Sequence, residues 1–303
     1  MIDFSGGPVT GDLDVTWIHG APGEPPLQVH RWDEHTYILR QGKAVHWEAP
    51  FLYLLFGNER ALLIDTGATQ DAGRFPLRRT VDGLVDAWLA TRPRDGYELT
   101  VAHSHSHGDH VAGDPQFADR SHTTVVGREP ADVRAFFGLG DRPGEVGRHD
   151  LGGRVLDVVA IPGHHPTSIA LFDPWTGFLL TGDSVLRGRL YNDDVPASVA
   201  SFERLVEFAA ARPVTHVMGC HIEMTRRPGR DYPLGTKYQP DEPPLPMPPA
   251  QLTAVRDAAR ANPRPGVHGY DDFVLVNGTG PRTMLAFAVR TLRGRLARRL
   301  GRG

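Results

Sequence analysis

Apolar and polar positions change period repeatedly along this chain, and the changes mark its elements. TYILR, FLYLLF and ALLID read as short strands, the last two joined as a hairpin through the turn GNER at 57–60. Leu77, Val81, Leu84, Val85 and Trp88 then fall on one face of a helix, which the spacing predicts over 77–92 with Pro93 as its stop. A strand, YELTVAH, follows. Beyond it the segments TTVVG, RVLDVVAI, SIALF, FLLTG and THVMG read as strands, with helices near 130–137 and 197–211. The pattern is that of an α/β chain with many short strands and no internal repeat. Seven prolines within the seventeen residues 233–249 break it and predict an extended arm. The expected organisation is therefore a main domain over 1–232, with the arm and C-terminal helices of 233–303 packed on that same domain.

Composition narrows the class. A chain of 303 residues with 40% hydrophobic positions and both signs of charge can bury a full core, which excludes a disordered protein. The opening MIDFSGGPVTGDLDV has neither a basic nor an apolar stretch, and FLYLLF is the longest apolar run near it, so no export signal or membrane span is expected. One cysteine, Cys220, cannot form an internal disulfide, which predicts a reducing, cytoplasmic location. The formal charge of -3 conceals an asymmetry: residues 281–303 carry seven arginines and no acid, leaving the first 280 residues near -10. An acidic body argues against nucleic acid as a partner, because neutralising phosphates needs a basic surface.

The chemistry is concentrated in TVAHSHSHGDHVAG, which places four of the 15 histidines within fourteen residues directly after a strand. Other metal-capable residues also sit where strands end: Asp65 after ALLI, His164 after VVAIPG, Asp183 after FLLTG and His221 after THVMGC. Side chains leaving neighbouring strands of one sheet converge, so distant segments can assemble one ligand cluster. His105 and His107 point the same way in extended backbone, while Asp109 and His110 lie where the chain turns into a helix. The assignment gives a first ion His105, His107 and His164, a second Asp109, His110 and His221, and makes Asp183 the bridge. Imidazole and carboxylate suit two Zn(II) ions and, less selectively, Fe or Mn. His103 continues the alternation, but only the frame beginning at His105 finishes in Asp-His, so His103 is read as a strand histidine.

HSHGDH, GHHPTSIALF, TGDS and GCHIEM together resemble the metallo-β-lactamase superfamily, whose signature is H-x-H-x-D-H followed by a histidine, a bridging aspartate and a last histidine. The family's earlier aspartate motif matches LLIDTG at Asp65, and the resemblance covers roughly residues 35–222. It implies an αββα sandwich, two β-sheets flanked by helices, with the metals at one edge. Where many relatives have GHTPGS, this chain has His165 and Thr167 in GHHPTS. Asp109 and His221 together, with Cys220 preceding the histidine rather than replacing it, look more like the glyoxalase II, lactonase and alkylsulfatase side of the superfamily than like true β-lactamases. Asp65 is read as a structural carboxylate that holds the metal-site loop by hydrogen bonds, rather than as a ligand or base.

These readings imply a dinuclear zinc hydrolase acting on an ester, thioester or lactone of a small molecule through a hydroxide shared between the ions. Asp109 and Asp183 would orient that hydroxide, and Asp109 is a candidate to protonate the leaving group. Tyr191 is the candidate donor to a substrate carbonyl. Arg226, Arg227 and Arg230 could receive a carboxylate or sulfate, and Tyr232, Lys237 and Tyr238 could wall the pocket. The alternatives are a phosphodiester or sulfate ester hydrolase and an iron-dependent oxidoreductase of the same fold. Besides the substrate, no nucleic acid and no stable membrane association are expected, and a homodimer is left open. In the tail, Leu285, Ala288, Val289, Leu292, Leu296 and Leu300 keep helical spacing, which predicts that this face packs on the body and leaves the arginines in water.

Overall fold

FLYLLF, apolar at all six positions, is buried along its whole length, and its alternate residues feed two different cores. The structure, a computed structural model, describes residues 1–140, 142 and 144–299. Its first sheet runs in chain order: β1 (Leu27–Arg31), β2 (Thr36–Gln41), β3 (Phe51–Phe56), β4 (Arg60–Ile64), β5 (Glu98–Ala102) and β6 (Thr123–Val125). Helix α1 (Leu77–Thr91) crosses from β4 to the parallel β5, α2 (Gly108–Val111) is a single turn after β5, and α3 (Pro130–Phe137) follows β6. The second sheet holds β7 (Val146–Asp150), β8 (Val155–Ala160), β9 (Ile169–Asp173), β10 (Phe178–Gly182) and, after β11 (Arg189–Asn192) and α4 (Val195–Ala210), β12 (His216–Gly219). Its order is β12-β10-β9-β8-β7, with only β10 and β12 parallel.

The two sheets share one core. Phe51, Tyr53 and Leu55 of β3 meet Leu156, Val158, Ile169, Leu171 and Leu180 of the second sheet. Their alternates Leu52, Leu54 and Phe56 face Leu77, Val81, Val85 and Trp88 of α1, as period-two side chains must. On the other side, Ala170, Phe172 and Leu179 pack under Phe202, Leu205 and Phe208 of α4 and under Leu252 and Val255 of α5 (Ala250–Ala261). This is the αββα sandwich expected from the resemblance. Arg154, fully buried, stitches it: the guanidinium donates to Asp173 at 3.1 and 2.5 Å and to the main-chain oxygens of His35 and Phe56.

The C-terminal part holds more than an arm and helices. β13 (Gly266–Gly269) and β14 (Val274–Asn277) form a hairpin, and β14 pairs parallel with β11 in a third sheet. The final helix, α6 (Pro281–Arg299), seats on that sheet through a face the periodicity did not choose. Thr283 is buried and donates to Asn277 O at 3.1 Å, the Phe287 ring meets Tyr191, and Arg290 donates to Asp231 at 2.9 Å. Leu285, Ala288, Val289, Leu292 and Leu296 are all exposed, so the expected packing of that face is corrected. Phe287, Arg290 and Thr283 find specific partners on the body, and these anchors set the rotation of the helix. Leu300 lies outside the described residues. Among the described residues no helix is long and apolar enough to cross a membrane.

Candidate metal centre

The parallel pair β4 and β5 ends at Ile64 opposite Ala102, which delivers Asp65 and the histidine loop to the same sheet edge. Asp65 has φ of 69°, a left-handed conformation that is costly for a residue with a Cβ and is held here by many bonds. Its carboxylate accepts from Ser104 N at 2.7 Å, Ser104 Oγ at 2.9 Å, His110 Nδ1 at 2.9 Å and the Cys220 thiol at 3.3 Å. From the second sheet, β10 brings Asp183 in through Gly182, where a Cβ would stand 2.8 Å from that of Ser104. Such an approach admits only glycine.

Two groups of ligand atoms result. His105 Nε2, His107 Nδ1 and His164 Nε2 lie 3.0, 3.0 and 3.2 Å from one another. Three ring nitrogens facing inward cannot all be paired by protons, but they approximate one face of a tetrahedron whose metal–nitrogen distance is about 2.0–2.1 Å. In the second group, Asp109 Oδ2 is 3.3 Å from His110 Nε2 and 3.2 Å from His221 Nε2, and these two nitrogens are 3.4 Å apart. Asp183 spans the groups: Oδ2 stands 3.6 Å from His110 Nε2 and 3.8 Å from His164 Nε2, and Oδ1 is 3.4 Å from His221 Nε2. Asp183 Oδ1 is buried and makes no hydrogen bond. A buried carboxylate oxygen that has no hydrogen-bond donor and faces imidazole nitrogens is suited to a cation, so the donor set fits the implied metals.

The outward ring nitrogens of His105, His110, His164 and His221 are held, that of His110 by Asp65 as above. His105 Nδ1 meets Ser104 Oγ at 3.2 Å, His164 Nδ1 donates to Tyr191 O at 2.8 Å, and His221 Nδ1 donates to Glu48 O at 3.1 Å. These contacts fix which nitrogen of each ring faces inward. Charge divides the two groups. Burial, reinforced by neighbouring imidazoles, keeps His105, His107 and His164 below the ordinary histidine value, hence neutral with lone pairs free. In the second group burial opposes charge but is outweighed: Asp183 and Asp109 raise His221 to about 9, and Asp65, Asp109 and Asp183 raise His110. In turn His110 and His221 hold both carboxyls far below the usual range despite their burial.

All seven sequence-assigned ligands therefore meet at one edge. His103 does not join them. Its Nε2 pairs with Asp114 Oδ1 at 2.8 Å, and Asp114 is also held by Arg128 and Thr66. His103→Ala is expected to keep the wild-type metal content and most activity while losing about 1–3 kcal/mol of stability, since a buried acceptor loses its donor; loss of one metal equivalent on elemental analysis would overturn that register. Asp65 reaches one ligand directly, closer than the loop-holding role expected of it. Tyr191 is corrected: its hydroxyl accepts from Arg189 Nε at 3.1 Å and its ring packs on Phe287, so its main-chain carbonyl is what reaches the cluster. In β11 the side chains of Arg189 and Tyr191 leave on the α6 side. Arg226, Arg227 and Arg230 border a cleft against α6 instead of the ligand cluster, and Tyr232 is buried, accepting from Asp241 N at 2.7 Å. Lys237 and Tyr238 are exposed, with Lys237 among the charges acting on His46, which also feels Asp109 and His221.

Sequence reasoning missed Glu48, Ser104 and the Tyr191 carbonyl. Two of these act through the main chain, which carries no residue-type signal. The Glu48 carboxyl is raised to about 7 by burial and by Asp109, placing it on the same edge. The turn carrying His165 closes on itself, its Nδ1 2.7 Å from Thr167 Oγ1, which accepts from Ser106 N at 3.0 Å and so ties GHHPTS to HSHGDH.

A model of the metallo-β-lactamase superfamily matches residues 47–267, well over half of the chain. The chain belongs to this superfamily. Among curated proteins, a hydroxyacylglutathione hydrolase of Ruegeria pomeroyi is 33% identical over 178 residues, covering 57% of this chain and 65% of that protein. One of Rhodobacter capsulatus is 35% identical over 132 residues, covering 42% and 49%. The matches thus span less than two thirds of those relatives. A metallo-β-lactamase of Pseudomonas aeruginosa superposes with a TM-score of 0.55 at 12% identity over 80% of this chain and 99% of its own. Another, of Pontibacter korlensis, gives 0.52 at 17% identity over 78% and 100%. The structural likeness establishes the metallo-β-lactamase fold, while the sequence relatives lie on the hydroxyacylglutathione hydrolase side, as Asp109 and His221 suggested.

Proposed function

We propose that this member of the metallo-β-lactamase superfamily is a metal-dependent hydrolase of a small-molecule acyl ester, thioester or lactone, holding two zinc ions. The observation that carries the reading is the pair of donor groups joined by Asp183. His105, His107 and His164 would hold one cation, and Asp109, His110 and His221 the other. Bound there, the metals supply Lewis acidity and water acidified to a pKa near 7. The chain's own residues supply order and charge. Asp183, whose Oδ1 has no hydrogen-bond donor and whose Oδ2 faces both His110 and His164, is placed to serve both groups. Asp109, half-buried at the rim, is placed to accept a proton or return one to a leaving group. Ser104, Asp65 and the carbonyls of Tyr191 and Glu48 keep the rings from rotating, which preserves geometry through turnover. Among acyl bonds the thioester is favoured, because the curated relatives are hydroxyacylglutathione hydrolases.

The test is elemental analysis with a panel of p-nitrophenyl esters, lactones, S-acyl thioesters and bis-p-nitrophenyl phosphate. Two zinc equivalents and turnover of acyl substrates, fastest on thioesters, are expected. Preferential phosphodiester turnover, or bound iron with visible absorption and oxygen consumption, would replace this reading.

A further inference from the structure

The exposed large hydrophobic side chains of the protein are concentrated on α6: Leu285 at 67%, Leu292 at 57%, Leu296 at 49% and Val289 at 40% exposure. At about 100° per residue, these four fall within an arc of about 60°. Thr283, Phe287, Arg290 and Gly294, the residues turned to the body, fill an arc about 160° away. The stripe therefore points straight out from the protein. Arg282 and Arg293 flank it on one side and Arg295 on the other, and the described helix contains no acid.

Beside the stripe lies a cleft of about 910 Å³ between α6 and the loop after the last metal ligand. Val289 and Arg293 reach it from the helix and Arg226, Arg227 and Arg230 from the loop, while its two acids are Asp241 and Asp231, the latter already paired with Arg189 and Arg290. These three loop arginines are exposed, and none of the four arginines has a guanidinium hydrogen bond or ion pair among the described residues. An apolar stripe and a cleft richer in arginine than in acid thus share the rim at Val289.

We propose that this face binds the surface of an anionic phospholipid bilayer, with the α6 leucines in the acyl boundary and lipid phosphates at the cleft arginines. The charge pattern selects this occupant. A second copy would set α6 against α6, arginine against arginine, with no acid on the helix to compensate. A free anion would fill the cleft but leave the leucines in water. An aliphatic stripe flanked by arginines is the composition that lies in a lipid interface, and it lacks the aromatic anchors typical of protein hot spots. Because the rest of the chain is acidic, an anionic surface repels other faces and orients the protein through this one. The expectation of no stable membrane association went with packing of this face on the body, and the structure instead leaves the face exposed.

The test is flotation of the zinc-loaded full chain with vesicles of phosphatidylglycerol and phosphatidylcholine against phosphatidylcholine alone, at physiological salt. Binding to the anionic vesicles is expected to be at least tenfold stronger, since each basic residue near such a surface contributes on the order of fivefold. Leu292→Asp with Leu296→Asp, and separately Arg226→Ala with Arg227→Ala and Arg230→Ala, should each reduce it by about tenfold or more. Metal content and circular dichroism should stay at wild-type values, showing that both variants are folded. Equal binding to the two vesicle types, undiminished binding by either variant, or a concentration-dependent dimer abolished by the leucine substitutions would overturn the proposal.

Discussion

Asp183→Asn is expected to lower metal content at both positions and to slow hydrolysis by well over a hundredfold, more than the 10–100-fold that removing an outer hydrogen-bond partner of a ligand costs. The amide keeps the shape of the carboxylate, so packing at this buried position survives. What disappears is the charge shared by the two groups. Asp183 Oδ2 stands 3.6 Å from His110 Nε2 and 3.8 Å from His164 Nε2, and no other described carboxylate contacts both groups. His105→Ala provides the contrast, since it removes one of three nitrogens from a single group and should cost one metal equivalent before it costs the other. Imidazole titration supplies a second readout: Asp183 is the leading charge that raises His221 to about 9 against burial, so in the metal-free variant that value should fall toward the ordinary histidine range. A protein that kept two metals and the wild-type rate after Asp183→Asn would show the bridging assignment to be wrong.

The sequence made the metal site legible because its residue types are rare and its positions periodic. Every ligand follows a strand whose apolar run is plain, and HSHGDH sets its own register. Five strands carried no comparable signal. LQVHR, VGRHD, RLYN and GVHG put charged or polar side chains in short segments, and VLVN is four residues long, too short to tell strand from helix by period. Three of these, β11, β13 and β14, build the sheet that supports α6. The pairing of β11 with β14 joins residues 85 positions apart, a relation that local patterning does not contain. The same gap explains the tail. Periodicity found the stripe of α6, but which face packs was decided by Asp231 and Tyr191, both distant in sequence. Tyr191 was misjudged for a related reason: alternation along β11 carries its hydroxyl away from the cluster while its carbonyl remains within reach of His164.

Glu242→Gln should be the most destabilising single change in the proline-rich segment, costing about 3–5 kcal/mol, the range for breaking one partner of a buried ion pair. Arg40 is 0% exposed and gives Glu242 two hydrogen bonds of 2.8 Å, with Lys43 Nζ at 3.8 Å and His19 Nδ1 at 3.6 Å on the same carboxylate. The amide would leave Arg40 and Lys43 buried without an anion. Burial alone would raise the Glu242 carboxyl, but Arg40, His19 and Lys43 outweigh it and hold it at about 2. A folded value below the ordinary 4.5 means that the pair's contribution is complete above about pH 4.5 and is lost as pH falls toward 2. Over that window the wild type should lose about 3 kcal/mol attributable to this group, and Glu242→Gln should lack that part of the acid dependence. Denaturant unfolding at pH 7 and pH 2 measures both quantities. Glu242 is also the anchor that ties the arm to β2, while Gln239 N donates to His19 O at 2.9 Å and Lys237 acts on His46 beside the metal edge. Loosening it should therefore expose 233–249 to proteolysis and raise KM while the seven ligands, carried by other elements, keep their metals. An unfolding midpoint at pH 7 equal to the wild type would show that the buried pair contributes nothing to holding the arm.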